Sequence, residues 1–407
     1  MNVIFLTVSR IRGIKSRGIY ADLMRKFRNE GHNVYVVTPY ERQFGLATSL
    51  SEVDGVHILG VQTFNIQKTN RVEKGIGIIL LESQYKKAIK KYLNGIFFDL
   101  ILYSTPPITF TDVVRYLKKR NPEAISYLLL KDIFPQNAVD LGMFSKTSLL
   151  YRYFRNKEIN LYKNSDYIGC MSPANVAFVL KHNKYIAREK VEEAPNSIEL
   201  IEVPVHIDKD RIRKRYNLPV DKIIFIYGGN LGKPQGVDFL IKCLDANKER
   251  NDCHFLIVGN GTEYLKIENW YRNNSPCNIT LLARLPKKEY DSLVQSCDVG
   301  LIFLDNRFVI PNYPSRLLSY LEFKMPIIAA TDVNTDIGTI AETNGYGYWC
   351  ESKDIRDFNN CINKYINEPE TIKKMGENGY RFLLNNYQVG YTYQKIISHI
   401  KKSLANV

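Results

Sequence analysis

The residues best suited to chemistry lie in the second half of the chain, each just after an apolar, β-branched run. Gly228-Gly229-Asn230-Leu231-Gly232-Lys233-Pro234-Gln235-Gly236 follows Ile223–Tyr227 and leads into a helix from Val237. Four glycines between a strand and a helix let backbone N–H groups close on an anion, and the helix start adds positive potential. Lys233 brings a full charge. A plain tight turn is the alternative, and the lack of Gly-Lys-Ser/Thr excludes a Walker A loop. Val258-Gly259-Asn260-Gly261 is a second strand–glycine turn, weak by itself. Ala283-Arg284-Leu285-Pro286 joins a strand to the helix Lys287–Gln295. Its backbone can read a nucleobase, or it is an ordinary connecting loop.

The sharpest segment is Ile310-Pro311-Asn312-Tyr313-Pro314-Ser315-Arg316-Leu317-Leu318-Ser319-Tyr320-Leu321-Glu322. Pro314 suits the approach to a helix and Ser315 suits its N-cap. The N–H groups of Ser315, Arg316 and Leu317 would then face a phosphate, and Arg316 would add charge-assisted hydrogen bonds. Thr331–Gly338 follows the strand Pro326–Ala330 and should reach the same crevice. Donors and cations arranged this way would hold a phosphate group.

Such loops need a scaffold. Apolar runs at Val3–Val8, Val34–Val37, Leu100–Tyr103, Ala124–Leu130 and Tyr167–Met171 read as strands buried on both faces. Helical patterns such as Tyr20–Glu30 and Asp112–Lys119 separate them. The alternation restarts at Ile223–Tyr227, Phe255–Val258, Ile279–Leu282, Val299–Phe303 and Ile327–Ala329. Strand–helix alternation of this kind means a doubly wound α/β sheet; twice over, it means two Rossmann-like parallel-sheet domains. The seam is at Pro195-Asn196-Ser197, giving domains of 1–197 and 204–379. A helix at 380–407 is a candidate to pack back on the first domain. Open α/β sheets bind ligands at the carboxyl ends of their strands, which is where these loops lie.

At 407 residues, with 45% hydrophobic and 24% charged, the chain has ordinary globular composition. Collagen-like, disordered and disulfide-scaffold classes are excluded. No apolar run approaches the roughly 20 residues of a membrane span. Met1–Val8 reads as a first buried strand rather than a signal peptide. The expected location is the cytoplasm, with peripheral contact at the inner membrane face. Seven cysteines, none in a Cys-x-x-Cys pair, read as reduced core thiols. Six scattered histidines argue for no metal, and His254 reads as structural. The net charge is +14, but residues 1–195 hold 29 basic and 17 acidic side chains against 27 and 25 in the remainder. A basic first half suggests a polyanionic partner: an anionic lipid surface, a phosphorylated acceptor or nucleic acid. A merely lysine-rich surface is the alternative.

Taken together, the strand–Gly–Asn–Leu–Gly loop, the Val-Gly-Asn-Gly turn, the Asp298-Val299-Gly300-Leu301 strand and the Pro-Ser-Arg helix start resemble retaining glycosyltransferases of the GT-B fold, the family 4 type. Ser104-Thr105-Pro106-Pro107 and Lys131-Asp132-Ile133-Phe134-Pro135-Gln136 are similar to the acceptor-side loops of its fucosaminyltransferase-like branch. Glu193–Ser197 resembles the family's interdomain segment. The resemblance implies two domains facing a cleft and retention of anomeric configuration. It implies a nucleotide-diphosphate sugar, favouring UDP, with no required cofactor or metal. The acceptor it implies is a polyprenyl-diphosphate-linked glycan of bacterial capsule or O-antigen synthesis. Gly229, Asn230, Gly232, Gln235, Gly259, Gly261, Arg284, Leu285, Pro314, Ser315, Leu317, Ser319 and Glu322 would bind the donor, with Lys233 and Arg316 on its phosphates. One departure stands out. The family's Glu-x7-Glu pair falls on Pro311 and Ser319, neither acidic; Glu322, one turn on, is a substitute candidate, and Asp305 and Asp336 are others.

On the acceptor side, Asp132 is the best carboxylate to bind or polarise the acceptor hydroxyl, which requires hydrogen-bond reach; capping the following helix is its alternative. Ser104 and Gln136 flank it. The loop holding Arg10, Arg12, Gly13, Lys15, Arg17 and Gly18 carries four positive charges in eight residues and would suit a pyrophosphate-linked acceptor, or is simply solvated. Two basic, aromatic stretches, Tyr85–Leu93 and Leu149–Arg155, fit either a lipid surface or core packing. Three competing readings are a UDP-sugar epimerase of the same shape, a nucleic-acid binder, and a non-catalytic partner of another transferase. The histidine-poor chain disfavours the first. No recognised nucleic-acid module supports the second. The missing Glu pair keeps the third open.

Overall fold

The computed structural model describes residues 1–67, 69–201 and 207–405. The expected domain start at residue 204 and the last two residues of the expected C-terminal helix lie outside the described residues. Two compact units emerge: Met1–Glu199 with Gln388–Val407, and Leu200–Tyr387.

The first unit is built on eight strands: β1 (Asn2–Leu6), β2 (Asn33–Glu41), β3 (Ser49–Val53), β4 (Val56–Thr63), β5 (Leu100–Ser104), β6 (Ile125–Leu130), β7 (Tyr167–Cys170) and β8 (Val191–Glu193). Their order is β3-β4-β2-β1-β5-β6-β7-β8. Every residue of β5 and β6 is buried, because crossover helices cover both faces of a parallel sheet. The order reverses between β1 and β5, so the crevice for a ligand opens there, beside the loops that follow these two strands.

The expectation of a wholly parallel sheet fails at its edge, where β3 runs antiparallel to β4. The two-residue turn between them is Asp54-Gly55, with φ of 55° and 72°. Positive φ at both positions is the hairpin turn that Asp-Gly favours. Asp54 matters below.

The final helix, Val389–Ala405, belongs to this unit. Tyr393, Ile396 and Ile397 join the core made by Leu23, Met24 and Phe27 of helix Ile19–Asn29. Helix Arg71–Tyr92 buries Tyr85 and Ile89, its C-cap residue Leu93 is buried too, and Tyr85 Oη donates to Thr7 O at 2.8 Å. Of the apolar positions of Tyr85–Leu93, Tyr85, Ile89 and Leu93 therefore serve the core, and Tyr92 is half-buried. No helix among the described residues is long and apolar enough to cross a membrane.

The second unit carries β9 (Ile223–Asn230), β10 (Cys253–Asn260), β11 (Ile279–Leu282), β12 (Val299–Phe303), β13 (Ile327–Thr331) and β14 (Gly347–Glu351). All pairs are parallel, in the order β11-β10-β9-β12-β13-β14. This is the doubly wound order with its switch point between β9 and β12. Phe225, Tyr227, Phe255 and Phe303 form the centre of the core. His254 is structural: its Nε2 lies 2.9 Å from Thr280 Oγ1, and burial pushes its pKa down to about 4. Six cysteines are buried and none is paired; Cys277 is exposed.

Candidate active site

In the second unit a cavity of about 430 Å³ opens at the carboxyl ends of β9 and β10. Gly229, Asn230, Gly259, Arg284, Leu285 and Tyr290 line it. Five of these six come from three separate loops singled out in the sequence; Tyr290 does not.

Arg316 stands beside this cavity. A Cβ built on Gly229 would lie 3.5 Å from Arg316 Nη2. Gly229 itself has φ of +128°, a conformation that side-chain-bearing residues rarely adopt. So glycine both permits the turn and leaves the guanidinium uncovered. The Arg316 Cζ sits 4.3 Å from the centre of the Tyr227 ring, a cation–π contact. Its Nη1 is buried without a hydrogen-bond partner. Burial works against the charge of Arg316, but Tyr227, Tyr320 and Tyr290 outweigh it and hold its pKa above the ordinary value. A buried guanidinium nitrogen with an unused donor is an arrangement that accepts an anion.

The loop after β9 is braced from within. Tyr227 Oη donates to Asn230 O at 2.6 Å. Gln235 Oε1 accepts from Asn230 Nδ2 at 2.7 Å and from the Gly232 N–H at 3.2 Å. Gln235 thus holds the loop, with its carbonyl oxygen spent, rather than offering it to a donor. Lys233 is exposed and makes no ion pair among the described residues. Gly259 and Gly261 have a packing reason. A Cβ on Gly259 would fall 1.9 Å from Gly229 O, and one on Gly261 2.3 Å from Leu231 O. Gly261 does not line the cavity; the Leu231 N–H donates to Asn260 O at 2.8 Å and pins the two turns together.

Helix Arg316–Glu322 only partly meets expectation. Ser315 occupies its N-cap position but its side chain makes no capping bond. The Leu317 N–H donates to Pro314 O at 3.3 Å and the Leu317 side chain is buried, so it is not turned to a phosphate. Pro314 and Ser319 are half-buried. Glu322 is buried and accepts from the Ile201 N–H at 3.3 Å. It serves the backbone and does not stand in for the missing acid. Asp305 is held by Arg307, at 2.8 Å to each carboxylate oxygen. Asp336 is half-buried at the start of helix Ile337–Thr343. Asp208 caps helix Lys209–Arg215 through the Arg211 N–H at 2.9 Å. No group of three or more His, Cys, Asp or Glu among the described residues is placed to hold a metal.

In the first unit, the loop after β1 lines a cavity of about 680 Å³ that gathers Arg12, Gly13, Lys15, Arg17 and Gly18. Asp54 of the β3–β4 turn organises it. Its Oδ2 accepts from the N–H groups of Ile14 and Lys15 at 3.0 and 3.3 Å, and Lys15 Nζ stands 3.3 Å from Oδ1. Gly13 leaves room for that carboxylate, since a Cβ there would lie 2.7 Å from it. Arg17 Nη2 donates to Glu199 O at 3.3 Å. Arg12 is exposed and unpaired among the described residues. Arg10 lies 3.4 Å above the Phe44 ring, with Nε and Nη2 buried and unpartnered.

Asp132, Ser104 and Gln136 do not line this cavity. Ser104 is buried at the end of β5. Gln136 Nε2 is taken up by Asp140 Oδ1 at 2.6 Å, one turn along helix Gln136–Asp140. Asn137 Nδ2 lies 2.8 Å from both carboxylate oxygens of Asp132. Burial pushes the Asp132 carboxyl up to about 6, against the Asn137 hydrogen bond that lowers it. Beside it, Lys131 Nζ donates to Ala194 O at 2.8 Å, and burial pulls its pKa down to about 7.

Residues 208–382 match the family model described as "Glycosyl transferases group 1". Over this segment the chain is similar to that family. The segment contains the Gly229–Arg316 site whole. The probable glycosyltransferase WbjE of Pseudomonas aeruginosa is 24% identical over 234 residues, 56% of each chain, so the match spans little more than half of that relative. Among solved structures, Anabaena HepE in complex with UDP-glucose is similar, with a TM-score of 0.69 at 14% identity over 99% of this chain and 100% of that one. WaaG, a glycosyltransferase involved in lipopolysaccharide biosynthesis, gives 0.64 at 12% identity over 97% and 98%. The fold is GT-B, and the segment similar to the group 1 family falls in its second Rossmann-like unit.

Proposed function

We propose that the chain is a glycosyltransferase whose group 1-like segment binds a nucleoside-diphosphate sugar, UDP-linked, at the β9–β10 cavity. The observation that carries this reading is Arg316, half-buried, cation–π stacked and with a buried, unused donor at Nη1, beside a glycine loop at the switch point of the sheet. The backbone of Arg284 and Leu285 reads the base; Gly229 and Asn230 admit the phosphates. Arg316, with Lys233 joining it, stabilises the charge that develops as the diphosphate leaves. HepE, bound to UDP-glucose, supports UDP as the nucleotide.

The sugar is passed with retention of configuration to a polyprenyl-diphosphate-linked glycan of capsule or O-antigen type, and an N-acetylated amino sugar fits the branch resembled. The involvement of WaaG in lipopolysaccharide biosynthesis supports that acceptor class. Arg12 and Lys15 meet the acceptor diphosphate, Asp132 polarises the acceptor hydroxyl, and the donor phosphate takes part in removing its proton. Calorimetric titration with UDP, GDP, TDP and NAD tests the donor reading. UDP should bind preferentially, and Arg316→Ala should weaken it by roughly 2 kcal/mol, about thirtyfold, as a lost charge-assisted bond does. Equal UDP affinity in that variant would remove Arg316 from the phosphate site.

A further inference from the structure

Exposed apolar side chains concentrate on one face of the first unit. Helix Leu149–Lys163 presents Leu149 at 81% exposure, Leu150 at 50% and Tyr153 at 41%. Helix Arg71–Tyr92 presents Ile76, Ile79 and Leu80, also exposed, on the side opposite its buried Gly77 and Leu81. The core needs none of these six.

The two sets are neighbours. Lys157 Nζ pairs with Glu82 at 2.9 Å, joining the two helices, and both pack against the single turn Ile108–Phe110. On each helix the apolar residues lie within about two turns on the N-terminal side of that ion pair. Both are crossover helices returning antiparallel to the strands, so their N-terminal halves reach the carboxyl edge of the sheet. The loop holding Arg12 and Lys15 and the end of β5 at Ser104 lie at that same edge.

The charges around this face have one sign. Lys87, Lys146 and Arg152 are exposed and pair with no acid among the described residues. The nearby acids are taken: Glu73 by Arg42, Glu82 by Lys157, Asp112 by Arg115 and Glu158 by Arg155. Apolar side chains ringed by unpaired cations match a lipid surface of negative charge. Insertion of the apolar groups and attraction to the headgroups then act together.

We propose that this face docks on an anionic lipid surface, with Leu149, Leu150 and Ile79 entering the acyl boundary and Lys87, Lys146 and Arg152 meeting headgroups. It deepens the reading of a lipid-carried acceptor given above, because it would set the acceptor loops against the surface where such a molecule resides.

The test is co-sedimentation of the full chain with phosphatidylglycerol–phosphatidylcholine vesicles and with phosphatidylcholine alone. Wild type should favour the anionic vesicles and lose them at high salt. Leu149→Glu with Leu150→Glu, and separately Ile79→Glu, should each lower partitioning by about tenfold or more. Leu265→Glu, on an exposed position of the second unit, should not. All positions are exposed, and UDP titration of the same samples reports that the second unit is intact. Vesicle binding that persists where UDP fails to bind keeps this surface while removing the donor reading. Equal binding to neutral vesicles, or variants that partition like wild type, would overturn the proposal. So would a lipid-free dimer, seen by light scattering, that the Leu149→Glu/Leu150→Glu variant dissolves, since a second copy would then cover the face.

Discussion

Asp132 shows how one residue's environment sets its chemistry. An ordinary aspartate ionises near pH 4, and burial raises this one to about 6. The folded chain then binds that proton more tightly than the unfolded chain. Stability must fall as pH rises from about 4 to 6, and is regained as pH drops through the same window. Asp332, also raised to about 6 by burial, acts in the same sense. Asp132→Asn should therefore flatten, without abolishing, the pH dependence of the melting temperature in this window. If Asp132 accepts a hydrogen bond from the acceptor hydroxyl, transfer by wild type should rise through about pH 6. The variant should then be slower by roughly a hundredfold at neutral pH, within the usual range for a lost acid–base group. Full turnover by Asp132→Asn would take the residue out of the mechanism. Arg316 was legible in the sequence because it follows Pro-Ser at a helix start. Tyr227 and Tyr290, which hold its charge, were not: one reads as strand core and the other as helix surface. Their convergence depends on β9 and helix Lys287–Gln295 meeting across Gly228, where a Cβ would lie 1.9 Å from Tyr290 Oη.

Among the elements, all ten strands expected from apolar runs exist, and β3, β4, β8 and β14 were missed. The reasons differ. Ser49–Glu52 of β3 is exposed, so no apolar run marks it. Its hairpin had a written signal, Asp54-Gly55, that apolar patterning passes over. β8 is three residues long. The basic loop after β1 was legible as a charge cluster, but not its dependence on Asp54, since that carboxylate arrives from a turn some forty residues away. Gly259 makes the same point for the donor loop. It reads as half of a weak motif, yet it serves to let β10 approach Gly229 O. Gly259→Ala should push that backbone apart, costing about 1–3 kcal/mol as overpacking does, and weaken UDP binding in parallel. Thermal unfolding with and without UDP measures both. An unchanged melting temperature and affinity would show that the strand ends yield freely.

At the scale of the whole molecule, two Rossmann-like halves with the same reversal of strand order differ in charge. Residues 1–195 carry most of the net +14, and residues 208–382 are nearly neutral. That asymmetry fits a half that meets anionic lipid and a half that holds one diphosphate with few cations. The chain is not divided in sequence order: helix Val389–Ala405 returns to the first unit, where Tyr393 Oη lies 2.8 Å from His32. Sequence patterning finds such a helix readily; which core it completes depends on contacts across more than 350 residues, from His32 to Tyr393. The central claim is that a UDP-sugar is held by the second unit around Gly229 and Arg316. Amide hydrogen exchange of the full chain with and without UDP tests it most directly. Added protection is expected in Gly228–Gly236, Ala283–Pro286 and Pro314–Leu317, with Ser9–Gly18 unchanged. Protection confined to Ser9–Gly18, or none in the three donor loops at saturating UDP, would contradict it.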